Sequence, residues 1–378
     1  MHTSLSEKFG IEYPIFGFTP SEHVAAAISR AGGLGVLGCV RFNDPGELEE
    51  VLTWMDENTD GKPYGVDVVM PAKVPTEGTP SDLDSLIPPE HRAFVDRTLT
   101  ELGVPPLDSG IEHAEGVLGW LHSVARSHVD VALGHRIALI ANALGSPPKD
   151  VIDRVHEKGV PVAALAGAVE HARRHVEKGV DIVIAQGYEA GGHTGEIASM
   201  VLVPEIVDAI GDSAAVLAAG GIGSGRQVAA ALSLGASGVW MGSYWLTTSE
   251  YKLGGASPEG PSAVQQAFLR ATSSDTVRSR IYTGKPARLL KTKWTEAWSK
   301  PDAPAPLPMP LQNLLVSEAH QRIAASEDPD VVAMPVGQIV GRMNEIRPVA
   351  EVMDELVAGF DSAVSRLDGF RDRSHIGE

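Results

Sequence analysis

The chain has 378 residues, with 49 acidic against 31 basic side chains and a formal charge of −18. A groove that neutralises nucleic-acid phosphates needs clustered Lys and Arg, so this balance argues against a nucleic-acid partner. A single cysteine, Cys39, excludes an intrachain disulfide and a multi-thiolate metal site, and no metal centre is expected.

No apolar run approaches the roughly 20 residues of a membrane span. The N-terminal stretch also lacks a charged region followed by an apolar one. A soluble cytoplasmic protein with no membrane partner is therefore expected. Apolar runs then alternate with helical patterns. Strands are predicted at 13–18, 35–40 and 64–70, separated by a helix at 21–31 capped by Ser21 and an amphipathic helix at 44–57 with Leu48, Val51, Leu52 and Met55 on one face. The rhythm breaks at 71–110, where Pro71, Pro75, Pro80, Pro88, Pro89, Pro105 and Pro106 mark an insertion holding one helix near 90–102.

Alternation resumes with a helix at 113–133, then strands at 136–144, 161–166, 181–185, 215–220 and 238–241. Between them fall helices at 148–158, 169–178, 203–210 and 225–234, with Pro204 near the first turn of the third. Eight short apolar strands with helical crossovers imply a parallel sheet covered on both faces, which fits a closed (β/α)8 TIM barrel. An open doubly wound sheet is the alternative. The barrel would span 1–72 and 113–250, with 73–112 as the insertion. Residues 251–330 would form a smaller, mostly helical second domain over the barrel mouth, containing a helix at 262–271 and an extended Pro-rich stretch at 301–310. Two helices, 331–345 and 349–367, would close the chain and pack on the barrel or form a homodimer contact.

The segment AQGYEAGGHTGEIAS, residues 185–199, joins a strand to a helix and holds Gln186, Glu189, His193 and Thr194 among glycines. A histidine on a glycine-rich loop at a strand's C-terminal end is placed to move a proton, with Glu189 or Glu196 to orient it. The other histidines read differently. His171 and His175, four apart on a polar helix, read as solvated, and His122, His128 and His135 as surface or packing residues. The glycine turns Gly220-Gly221 with Gly223, and Gly242-Ser243, fall at the ends of the seventh and eighth strands, where barrels hold phosphates on backbone amides. Gly32-Gly33-Leu34-Gly35 precedes a strand, so it reads as a tight turn rather than a dinucleotide fingerprint.

AQGYEAGGHTG followed by AAGGIGSGRQVAAALSLGASGVWMGS resembles the nitronate monooxygenase family of FMN-dependent barrels, and RAGGLGVLG and ATSSDTVRSRIYTGKPAR are similar to family segments. The likeness runs in order over most of the chain. It implies FMN as cofactor, with Gln186, Gly191 and Gly192 contacting it, Gly220, Gly221, Gly242 and Ser243 holding its phosphate, and His193 as the catalytic residue. It implies oxidation of an alkyl nitronate by O2 to a carbonyl compound and nitrite, without NAD(P)H. Gly17, Phe18 and Thr19 after the first strand, and Asp67 in the third, would also line the flavin. Here the chain departs from the family, which has an apolar-Met turn at the first place and often an Asn at the second; a lysine found after strand five in some members is absent too.

The main rival is an FMN-dependent reductase or dehydrogenase of an enoyl or other acyl thioester using NAD(P)H. The basic run Arg278, Arg280, Lys285, Arg288, Lys291 and Lys293 would then meet a CoA phosphate or, alternatively, form local ion pairs. A purine-nucleotide dehydrogenase needs a nucleophilic cysteine on a loop, and Cys39 lies inside the second predicted strand. A flavin-binding module without turnover is the remaining possibility.

Overall fold

Eight parallel strands close into a barrel in the order β1-β2-β3-β4-β5-β6-β8-β9, with Ile15 to Gly17 of β1 beside Val239 to Met241 of β9 at the seam. The strands are β1 (Ile15–Thr19), β2 (Leu34–Gly38), β3 (Tyr64–Val69), β4 (Ile137–Ala143), β5 (Val162–Ala166), β6 (Ile182–Gln186), β8 (Ala215–Ala219) and β9 (Gly238–Met241). This computed structural model describes residues 1–70, 83–107, 121–253 and 260–371. Parts of the predicted insertion, of the predicted helix at 113–133 and of the loop after Tyr251 lie outside the described residues.

Side chains alternate across each strand, so each strand feeds two cores. Phe16, Leu34, Val36, Ile184, Leu217 and Trp240 fill the lumen. Ile15, Val183, Val216 and Val239 face outward against surrounding helices. The helices Gly225–Ser233 and Val349–Arg371 cross so closely that a methyl at Gly225 would overlap the Leu356 carbonyl and the Phe360 amide.

Outside the barrel a three-stranded sheet forms, with more strand than predicted for this part of the chain. β10 (Thr276–Ser279) and β11 (Ala287–Leu290) form an antiparallel pair, and β11 also pairs with β7 (Gly192–His193), a piece of the loop after β6. The insertion's helix Pro89–Glu101 shares a core with this unit: Phe94 meets Trp298 edge to face at 4.8 Å, and Leu99 is buried in the same cluster as Trp294 and Val316 of the helix Leu311–Ala325.

Several expectations need correction. Residues 331–345 are not a helix; only a short 3-10 turn, Gln338–Arg342, forms there. Pro335 lacks an amide donor and Gly337 is a poor helix former, and backbone groups of the segment are taken elsewhere: Val336 N–H donates to Arg288 O and Gln338 N–H to Glu189 O. The helix Ser199–Ile210 begins four residues before the predicted start, so Pro204 lies inside it. Ser21 does sit at a helix N-cap, but its hydroxyl accepts from the Lys252 amide rather than capping. His175 is buried rather than solvated, its Nδ1 2.7 Å from Ser146 Oγ and its Nε2 3.0 Å from the Leu165 carbonyl. Cys39 lies in a 3-10 turn just past β2, fully buried, and burial pushes its thiol up so that it stays unreactive.

Candidate active site

The loop after β6 is anchored at both ends. Gly187 N–H donates to Ala219 O at 2.9 Å and Tyr188 N–H to Ile197 O at 2.8 Å. Glu189 accepts from the Ser199 amide at 3.1 Å and from the Ser199 hydroxyl, at the first turn of the following helix. Glu196 pairs with Arg278. Neither carboxylate is bonded to His193, so the predicted orienting role falls to another residue.

That residue is Thr283. As part of β7, His193 sits opposite Ala287 of β11, and its Nε2 lies 2.7 Å from Thr283 Oγ1. Burial lowers its pKa to about 4, with the Lys285 ammonium pushing in the same direction. The imidazole is therefore neutral at neutral pH. The Thr283 contact occupies Nε2; in the tautomer with the proton on Nε2, the Nδ1 lone pair is left to accept a proton.

The first glycine turn lies beside this loop. Gly220 and Gly221 adopt φ of +106° and +67°, which side chains other than glycine's rarely tolerate. The loop presses on both: a methyl on Gly220 would stand 3.3 Å from the Gly187 amide, and one on Gly221 2.9 Å from Glu189 Cγ. The helix Gly225–Ser233 follows with no side-chain cap, because Ser224 bonds Gln227 instead, while Gln227 also takes the Gly223 amide at 3.0 Å and donates to Gly221 O. First-turn amides without intrahelical acceptors, next to a glycine pair, suit a phosphate group.

The other predicted residues divide by strand face. Gln186 ends β6, level with Ala219. Phe18 stacks on Trp240 at 6.0 Å in the lumen, and the Cβ position of Gly242 lies 3.5 Å from its ring. Asp67 is buried, its carboxyl has no hydrogen-bond partner among the described residues, and it is pushed up to about 7 by loss of solvation. Gly17 and Thr19 lie on the opposite face from Phe18: Gly17 packs on Ile28 and Trp245, and Thr19 Oγ1 accepts from the Ser21 amide. Gly191 makes close approach to Val336 and Gly337, and Ser243 Oγ accepts from the Gly337 amide at 2.9 Å. One segment, 335–338, thus bridges the His193 loop and the second glycine turn.

The basic run is largely a clamp. Arg288, 2% exposed, donates to Tyr188 O and Thr276 Oγ1 and covers the Tyr188 ring at 4.5 Å. Arg278 donates to Thr194 O at 2.9 Å, Lys291 to Ser274 O, and Lys293 pairs with Asp330. These cations are therefore engaged locally rather than free for a CoA phosphate. Sequence reading missed Thr283 and the clamp role of Arg288, which carry no local signature beyond a Thr-Gly turn and one more basic residue.

Comparison with known proteins shows the family and supports the barrel fold. The sequence model of the nitronate monooxygenase family matches residues 2–359. A Mycobacterium tuberculosis protein, Rv1533, named as a monooxygenase, is 49% identical over 99% of this chain and 100% of its own. A Staphylococcus aureus protein named as a nitronate monooxygenase is 28% identical over 93% of this chain and 96% of its own. Among solved structures, nitroalkane oxidase from Streptomyces ansochromogenes matches with a TM-score of 0.78 at 25% identity, over 96% of this chain and 99% of that one. FabK from Thermotoga maritima matches with a TM-score of 0.73 at 25% identity, over 98% and 99%.

Proposed function

This chain belongs to the nitronate monooxygenase family of flavin-dependent oxidoreductases, and from that premise we propose that it uses FMN and O2 to convert alkyl nitronates to a carbonyl compound and nitrite. The observation that carries the reading is the neutral, Thr283-bonded His193 on the loop whose Gly187 and Glu189 press on the Gly220-Gly221 turn. That turn, the uncapped helix start at Gly225 and the amides near Gly242 and Ser243 are the groups that would hold the cofactor's phosphate. Bound there, the flavin supplies the one-electron and oxygen chemistry that amino-acid side chains lack.

The chain's own residues handle binding and protons. Nδ1 of His193 accepts the acidic α-proton of a nitroalkane, giving the nitronate in place. Thr283 fixes the ring so that this nitrogen, not Nε2, faces the substrate. The Phe18 and Trp240 rings form an apolar wall at the lumen end that keeps water away from the reacting carbon.

A second reading, reduction of an enoyl or other acyl thioester with NAD(P)H, is favoured by the likeness to FabK. It is weakened by the engagement of Arg278, Arg288, Lys291 and Lys293, which leaves few cations for a CoA phosphate. One experiment separates the two. The purified protein is assayed for bound flavin, then given an alkyl nitronate in air while O2 uptake and nitrite are followed, with His193→Asn as control. Nitrite release from the nitronate by wild type, together with nitroalkane turnover lost in the variant, supports the first reading; flavin reduction by NAD(P)H without nitronate turnover supports the second.

A further inference from the structure

Ser146 and His175 form a buried pair at the ends of β4 and β5 that the chemistry above does not use. Ser146 Oγ lies 2.7 Å from His175 Nδ1, and His175 Nε2 lies 3.0 Å from the Leu165 carbonyl of β5. A carbonyl only accepts, so Nε2 carries a proton. Burial, with the charges of Arg174 and Lys178 adding to it, holds the ring below the ordinary histidine pKa, which leaves Nδ1 bare to accept from the Ser146 hydroxyl. The turn bearing Ser146 is also held from β4, where Asn142 donates to Gly145 O at 2.8 Å and accepts from the Met70 amide at 2.8 Å. Between these bonds Leu144 sits at φ +66°, a left-handed backbone that a bulky side chain rarely adopts.

The end of β5 held in this way is where the His193 loop rests. Two residues past Leu165, Gly167 meets Gly195 backbone to backbone: a methyl on Gly195 would stand 2.6 Å from Gly167 O, and one on Gly167 3.1 Å from Gly195 Cα. Gly195 is two residues from His193, whose Nε2 contacts Thr283. The loop thus has one support at the imidazole and another at Gly195, and the second stands on the strand end that His175 bonds.

We infer that Ser146 and His175 are positioning residues for His193: they fix the end of β5 so that Gly167 seats the loop with its imidazole at the substrate carbon. The inference rests on the proposed function for the reaction, whereas the seat is a property of the loop that can be read without turnover.

The test compares the flavin-loaded wild type with Ser146→Ala, which removes the hydroxyl, and Gly167→Ala, which presses on Gly195 without touching the pair. Deuterium uptake of the backbone amides over 187–196 is followed by mass spectrometry, and O2 uptake is measured with 1-nitropropane and with its preformed nitronate. In both variants exchange in the loop should quicken about fivefold, the equivalent of one lost hydrogen bond. Turnover of 1-nitropropane should fall by a similar factor while that of the nitronate stays within about twofold, because only the first substrate needs its proton removed. A protein merely loosened as a whole would lose both rates together. Loop exchange that matches wild type in a folded Ser146→Ala protein would overturn the inference, as would equal losses on the two substrates. If wild type turns over neither substrate, the nitronate reading fails, and the exchange arm still decides whether Ser146 and His175 hold the loop.

Discussion

His193 Nε2 and Thr283 Oγ1 lie 2.7 Å apart although 90 residues separate them in the chain. The contact exists because β7, a fragment of a barrel loop, is the third strand of a sheet otherwise built by the second unit. The imidazole therefore lies where the loop after β6 meets this sheet, and its hydrogen bond depends on that pairing.

Thr283→Val removes the orienting hydroxyl while nearly keeping its volume. Turnover of a nitroalkane should fall about tenfold, the equivalent of one lost hydrogen bond, and Thr283→Ser should restore most of it. His193→Asn should lower nitroalkane turnover by roughly 10²–10³ and turnover of the preformed nitronate by less, because only the first needs a proton removed. Steady-state O2 uptake with both substrates checks each expectation.

Two buried groups should shape stability against pH in opposite directions. The folded protein binds a proton on His193 less readily than the unfolded chain does, so stability should fall as pH drops from about 6.5 towards 4 and change no further below that. Asp67 stays protonated in the fold up to about 7 while the unfolded carboxyl ionises near 3.9, so its penalty grows across that interval and is constant above it. Asp67→Asn should therefore gain stability over wild type progressively from pH 4 to 7.5, reaching on the order of a few kcal/mol. Denaturant midpoints along that series are the measurement, and a difference independent of pH would contradict it.

Arg288→Met should strip the Tyr188 carbonyl and Thr276 hydroxyl of a fully buried donor and the Tyr188 ring of its cation. A loss of about 2–4 kcal/mol is expected, read as a lower urea midpoint with unchanged slope. Arg278→Met, whose ion pair reaches an exposed carboxylate, should lose about 1 kcal/mol or less.

Gly225→Ala places a methyl into the backbone of the helix Val349–Arg371 and should destabilise the protein by about 1–3 kcal/mol. Gly221→Ala acts at φ +67° and against Glu189, with a local strain of about 1–2 kcal/mol. If the glycine turn holds the cofactor's phosphate, Gly221→Ala should reduce retained flavin, measured by visible absorbance against protein, more than its loss of stability accounts for.

The sequence by itself determined the barrel, because strand and helix periods are local: short apolar runs such as 182–186 and 215–219, bounded by turn residues and alternating with helical patterns, suit buried parallel strands. It also marked the glycine turns and His193, whose neighbours in the chain carry the signal. It misread 331–345 as a helix, since apolar spacing there looks helical while the backbone partners of Val336, Gly337 and Gln338 are Arg288, Ser243 and Glu189, all distant in sequence. The Thr283 contact, the clamp at Arg288 and the burial of His175 were decided only by tertiary structure. Each depends on which groups meet after the second unit docks and the helices pack, and hydrogen bonds and desolvation across 29, 90 or 100 residues leave no periodicity in the chain to read.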